Sequence, residues 1–153
     1  MNAVDTNVLI YVNDSRDPGK QEIAASLVTN LTEGVLIWQV ACEYLAASRK
    51  LEPLGYDRAQ AYQYIRDLQQ VWYTALPTWA VIDRAEDLMS RFSLSHWDSM
   101  VVAACLEANV KTLYEVICRR SAKPLALKLS VGTRLRGYLW DAIAMYCKPS
   151  VGT

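Results

Sequence analysis

The chain has 153 residues, 52% of them apolar and 21% charged, with 6 Gly and 5 Pro; this is the make-up of one globular domain and excludes a chain disordered throughout. Sixteen basic residues balance sixteen acidic ones, which excludes a protein devoted to blanket neutralisation of phosphate. No apolar run approaches the roughly 20 residues that cross a bilayer, and Met1-Asn2-Ala3-Val4-Asp5 has neither a basic nor an apolar leader region, so a cytoplasmic protein with no membrane role is expected.

Asn2 to Val4 reads as a short strand, followed by the polar break Asp5-Thr6-Asn7. Val8 to Val12 is apolar without interruption, so its periodicity fits a buried strand or a buried helix equally. Asn13 to Gly19 has loop chemistry, and Ile23, Leu27 and Leu31 then repeat at helical spacing. Val35 to Ile37 is a compact strand. Gln39 to Leu51 is helical, with Val40, Tyr44, Ala47 and Leu51 on one stripe, and Pro53 with Gly55 stops it. A second long helical pattern covers Asp57 to Trp72, and an extended stretch follows toward Leu76. A helix over Trp79 to Phe92 is expected to bury Ile82, Ala85, Met89 and Phe92. Ser95 to Asn109 is the next helix, and Val110 to Tyr114 closes the series as a strand.

Strands alternating with helices predict an α/β fold: a Rossmann-like three-layer α/β/α sandwich around a mostly parallel sheet. Ligands of such sheets sit at the carboxyl ends of the strands.

Beyond Tyr114 the pattern changes. Residues 1–114 hold nine basic and fourteen acidic residues, a net −5; residues 115–153 hold seven and two, a net +5. Leu125, Leu127, Leu129 and Val131 alternate like an edge strand, and an apolar stretch from Tyr138 to Cys147 follows the breaks at Gly132 and Gly137. The chain therefore divides into a domain of residues 1–114 and an atypical basic tail of residues 115–153. Cys42, Cys105, Cys118 and Cys147 are widely spaced and His96 stands alone, so no zinc or redox motif is present, and buried free thiols are expected.

Three carboxylates fall at element ends. Asp5 follows the first strand, Glu43 lies inside a helix, and Asp98 stands in the first turn of the Ser95 helix. Each has a structural explanation: Asp5 as a cap, Glu43 as solvent face, and Asp98 as the acid of a Ser95-His96-Trp97-Asp98 capping box. A doubly wound sheet would nevertheless bring all three to one rim. Two carboxylates about 4 Å apart repel by roughly 4 kcal/mol at an effective dielectric near 20, so an ionised cluster implies a bound cation. Oxygen-only ligands select Mg²⁺ or Mn²⁺, and such an ion can generate a nucleophilic water and stabilise a phosphoryl transition state.

Asp5-Thr6-Asn7-Val8-Leu9-Ile10-Tyr11, Glu43-Tyr44-Leu45 and Phe92-Ser93-Leu94-Ser95-His96-Trp97-Asp98-Ser99-Met100-Val101-Val102-Ala103-Ala104, with K-T-L-Y following, resemble a PIN-domain protein of the VapC toxin kind over residues 1–114. The resemblance implies a Mg²⁺- or Mn²⁺-dependent endoribonuclease acting on RNA, a homodimer, and a cognate antitoxin protein. It matches Asp5, Glu43 and Asp98 to metal-binding catalytic acids and places Thr6 and Asn7 beside the cleft, in supporting hydrogen bonds to Asp5 or to a metal-bound water. His96 and Trp97 are expected to pack or to position Asp98.

The family continues after its last matching strand with a Ser-(Glu)-Asp segment whose Asp completes an acidic quartet, whereas Tyr114 is followed here by Glu115-Val116-Ile117-Cys118-Arg119-Arg120. Glu115 is a candidate substitute, one or two positions early. A frameshift is the other explanation: one codon set for Glu-Val-Ile-Cys-Arg, GAA GTG ATT TGC AGA, read two bases later encodes Ser-Asp-Leu-Gln. The competing functions are a catalytically impaired PIN domain that binds antitoxin or RNA, and a phosphohydrolase using Asp5 as nucleophile. The latter lacks a second acid two residues on, where Asn7 stands.

Overall fold

The structure, a computed structural model, describes residues 1–117 and 125–130 of the chain, with side chains through Glu115. Eleven regular elements follow in order: β1 (Asn2–Val4), α1 (Thr6–Val12), α2 (Pro18–Asn30), β2 (Gly34–Ile37), α3 (Trp38–Ala47), α4 (Arg58–Val71), β3 (Tyr73–Ala75), α5 (Trp79–Phe92), α6 (His96–Glu107), β4 (Thr112–Ile117) and β5 (Leu125–Ser130). A tight 3-10 turn over Ser48–Leu54 joins α3 to α4 and closes on Gly55, whose φ of 84° is the left-handed conformation that glycine tolerates.

The sheet order is β3-β2-β1-β4-β5. The first four strands run parallel, and β5 is antiparallel to β4, with Thr112 opposite Ser130 and Ile117 opposite Leu125. The expected α/β layering is thus observed, with the alternating segment after Leu125 on the edge. β4 runs three residues past Tyr114, the point where the charge balance inverts. The turns at Gly132 and Gly137, the apolar stretch from Tyr138, Trp140, Cys118 and Cys147 lie outside the described residues.

Burial explains the parallel arrangement. Successive residues of a strand face opposite sides, and all four residues of β2 are buried, so both faces of the sheet are covered. The main core joins Val4, Leu9, Val35, Ile37, Val40, Tyr44 and Leu113, and Val8-Leu9 resolves as helix. A second core of Val81, Ala85, Leu88, Leu94 and Ala103 holds α5 against α6. Here the expected α5 stripe is corrected by one position. Ala85 is buried, but it is joined by Val81 and Leu88, while Ile82 and Met89 face solvent, because α5 packs on α6 and not on the sheet centre.

Two further expectations resolve individually. Cys105 is buried as expected, but Cys42 lies on the outer face of α3 and is exposed. Trp72 is a core residue, whereas Trp79 is 79% exposed. Among the described residues no helix is long and apolar enough to cross a membrane.

Candidate functional site

The site grows from the pairing of β1 with β4. The Asp5 N–H donates to the Tyr114 carbonyl at 2.9 Å, which pins the first acid at the carboxyl end of β1, beside the middle of β4, just before α1 turns away. Asp5 occupies the N-cap position of α1 but makes no side-chain cap bond. Glu43 arrives on the second turn of α3, which begins directly at the end of β2. Its two oxygens are held separately: Gln39 Nε2 donates to Oε1 at 2.7 Å, and Thr6 Oγ1 donates to Oε2 at 2.9 Å.

Asp98 stands in the first turn of α6. Ser95 caps that helix by accepting from the Asp98 N–H at 3.2 Å, and its hydroxyl donates to Asp98 Oδ2 at 2.6 Å. The expected box is therefore present in altered form, since the acid turns to the cap hydroxyl and not to the cap backbone. Glu115 completes the rim from β4, where Asn7 Nδ2 donates to its Oε1 at 3.3 Å.

The side chains of the two supporting residues also reach other acids of the rim. Thr6 reaches Glu43 and Asn7 reaches Glu115, while their backbone N–H groups favour the ionised form of Asp5. His96 is exposed with its ring edge-on to Trp97, 4.8 Å between centroids, and it is Ser95 that touches Asp98. Gln39 escaped notice in the sequence, although its spacing of four from Glu43 on one helix was the available signal.

One field links these groups. Burial, with repulsion from Glu43 and Asp98, outweighs the Thr6 and Asn7 amides and pushes the Asp5 carboxyl up to about 6. Burial, then repulsion from Asp5 and Asp98, pushes Glu115 up to about 7 against the hydrogen bond from Asn7. A divalent cation would relieve both, and an all-carboxylate donor set suits Mg²⁺ or Mn²⁺. The donor chemistry fits such an ion. As they stand, no three His, Cys, Asp or Glu side chains among the described residues are grouped so as to hold one. Thr6, Gln39 and Ser95 hold Glu43 and Asp98 in their present orientations.

Comparison with known proteins identifies the family and the fold. The PIN domain family matches residues 3–115, and the chain belongs to that family. Among solved structures, the fold is similar to that of Mycobacterium tuberculosis VapC20, described as a sarcin-ricin loop cleaving toxin. The TM-score is 0.60 at 16% identity, over 74% of this chain and 87% of that one. It is also similar to a chain of a toxin–antitoxin complex from Klebsiella pneumoniae, with a TM-score of 0.54 at 16% identity, over 80% and 89% of the two chains. No curated protein matches the sequence.

Proposed function

We propose that this chain is a VapC-type toxin of a toxin–antitoxin pair, a cytoplasmic metal-dependent endoribonuclease that hydrolyses RNA phosphodiesters. The observation that carries the reading is the rim itself: Asp5, Glu43 and Asp98 come from three separate elements to one end of a PIN-family sheet. Those three residues would hold Mg²⁺ or Mn²⁺, with Glu115 as a fourth carboxylate in place of the family's missing acid. When bound, such an ion would supply a water of lowered pKa and offset charge developing on the phosphate oxygens. Thr6 and Gln39 orient Glu43, Asn7 orients Glu115, and Ser95 orients Asp98.

The chain also works as a homodimer with an antitoxin partner. Support for self-association comes from α5, where Trp79, Ile82 and Met89 follow one another at helical spacing on the solvent side, with Leu76 just before them. Large apolar side chains left exposed in a row are characteristic of an interface. The nuclease domain is residues 1–114, followed by the atypical basic tail of residues 115–153; a frameshift is the alternative to Glu115 as substitute acid in explaining the missing family segment, and codons that do not yield Ser-Asp in the shifted frame overturn it.

The deciding experiment is cleavage of a mixed structured RNA pool by purified protein with Mg²⁺ or Mn²⁺, beside Asp98→Asn, Asp5→Asn and a chelator control. Loss of cleavage in all three controls is the expected result. A folded protein that never cleaves overturns the nuclease and leaves the second reading, a catalytically impaired PIN domain that binds antitoxin or RNA. That reading is favoured by the absence of the family's Ser-(Glu)-Asp segment after Tyr114.

A further inference from the structure

An open groove of about 660 Å³ lies between α3 and α4, and none of Asp5, Glu43, Asp98 or Glu115 lines it. Cys42, Ala46 and Arg49 line one wall, and Glu52, Arg58 and Tyr62 line the turn and the other wall. Cys42 is the immediate neighbour of Glu43, so one helix presents an acid to the rim and, at the next residue, opens the groove.

The arginines of residues 1–115 divide by location. Arg16, Arg84 and Arg91 are each ion-paired, to Asp14, Glu107 and Asp87. Arg49, Arg58 and Arg66 make no ion pair among the described residues. Arg49 and Arg58 line the groove, and Arg66 continues the row of Arg58 and Tyr62 along α4 at spacings of four. Unpaired guanidinium groups gathered in one place, on a domain whose net charge is negative, point to an anion that arrives from outside. The Arg58 guanidinium lies over the Tyr62 ring, 5.6 Å from its centroid, and Tyr62 is itself exposed. Cations spaced along a groove with a partly exposed aromatic ring are the two elements of a single-strand nucleic-acid site: phosphates meet the charge and a base meets the ring. Glu52 on the same wall disfavours a continuous phosphate track and limits the site to a short stretch of strand.

We infer that the α3–α4 groove is a subsite for single-stranded RNA flanking the cleaved phosphodiester, with Arg49 and Arg58 on phosphates and Tyr62 beneath a base. The inference rests on the nuclease reading above for what is cleaved, but not for what is bound. Charge complementarity selects this occupant over an apolar peptide.

The test measures binding without cleavage: fluorescence anisotropy of a labelled single-stranded RNA oligonucleotide on the full chain, in chelator, at several salt concentrations. The Arg49→Ala/Arg58→Ala variant is expected to bind about tenfold more weakly. Its log–log salt slope should fall by about 1.4, since each phosphate contact on a single strand contributes about 0.7. Tyr62→Ala is expected to weaken binding severalfold at unchanged slope, and Tyr62→Phe to restore it. An Arg84→Ala/Arg91→Ala variant removes the same charge from α5 and should bind as the parent does. All five substituted positions, three on the groove and two on α5, are exposed, and circular dichroism checks the folding of the variants. Equal weakening in both arginine pairs, or affinity and slope unchanged in the groove variant, overturns the subsite. If the parent binds RNA through the groove but never cleaves, the subsite stands and the nuclease reading fails; cleavage indifferent to the groove gives the reverse.

Discussion

Asn7 Nδ2 and Glu115 Oε1 lie 3.3 Å apart across 108 residues of sequence, joining the first helix to the last parallel strand at the acidic rim. The bond gives Glu115 a fixed position where the family carries its acid on a following segment. Because such outer partners typically change metal affinity by about 10–100-fold, Asn7→Ala is expected to weaken Mn²⁺ binding about tenfold. Glu115→Gln should weaken it at least as much while leaving the fold intact. Calorimetric titration with Mn²⁺ checks both, and parental affinity in Glu115→Gln would remove Glu115 from the site.

The raised carboxyls make stability depend on pH in a definite direction. Asp5 and Glu115 hold their protons more tightly in the fold than in the unfolded chain, with values of about 6 and about 7 against ordinary values of 3.8 and 4.5. Between about pH 4 and 7 the native state therefore binds more protons, and unfolding free energy falls as pH rises through that window. Urea midpoints of the metal-free protein should drop from pH 5 to pH 8. Mg²⁺ should restore stability at pH 8 and do much less at pH 5, where protons compete for the same oxygens. A flat profile without metal would contradict the burial of these two groups.

Ser95 serves the fold and the site through one hydroxyl. It caps α6 and simultaneously donates to Asp98 Oδ2. Ser95→Ala is expected to cost about 1 kcal/mol of stability, the usual effect of losing such a cap. It should also lower RNA cleavage more than that loss of folded protein explains, since Asp98 then loses its orienting partner. Ser95→Thr keeps the hydroxyl and should recover most of both, measured by chemical denaturation beside initial cleavage rates.

Local chemistry made much of this arrangement readable in advance. The α5 limits, Trp79 to Phe92, were legible because Pro77 and Thr78 precede the helix and Ser93, at a φ of 55°, ends it. The face that α5 buries was not legible, since Val81-Ile82 and Leu88-Met89 are adjacent apolar pairs and either register gives an apolar stripe. Val8 to Val12 was ambiguous for a related reason: a segment apolar at every position has no period to read. Singly, each of the three acids has an ordinary local role; the sheet argument, which sends strand ends and helix starts to one rim, suggested them as a group, and the family resemblance then supplied their roles. The partners of Thr6 and Asn7 were out of reach, since Glu43 and Glu115 are distant in sequence and only the parallel β1–β4 pairing brings the last one near.

The close packing of β2 against α4 has a single sensitive point. A Cβ built on Gly34 would fall within the Trp72 ring, whose side chain is core. The ring is rigid and buried, so Gly34→Ala is expected to destabilise the fold by about 1–3 kcal/mol, the range for overpacking. Gly34→Ala combined with Trp72→Leu should recover part of that loss, and thermal melts of the single and double variants decide it. Additive losses would mean that the two residues do not oppose each other.

Three tyrosines from α3, α4 and the turn between them provide a sharper contrast between satisfied and unsatisfied polar groups. Tyr44 is fully buried, yet its hydroxyl lies 2.8 Å from that of Tyr56 and accepts from Asn13 Nδ2 at 3.2 Å. Tyr64 packs its ring against Tyr44, 5.5 Å between centroids, and its buried hydroxyl has no hydrogen-bond partner among the described residues. Burial raises the phenol pKa of both, and only for Tyr44 do hydrogen bonds offset the cost of leaving water. Tyr44→Phe removes two hydrogen bonds, leaving Tyr56 and Asn13 only their 3.4 Å bonds to the Gln60 and Leu9 carbonyls, and should cost about 1–3 kcal/mol, whereas Tyr64→Phe removes a desolvated group and should be neutral or stabilising by about 1 kcal/mol. Denaturant midpoints of the two variants test the contrast directly. A loss in Tyr64→Phe as large as that in Tyr44→Phe would show that the Tyr64 hydroxyl is hydrogen-bonded in solution.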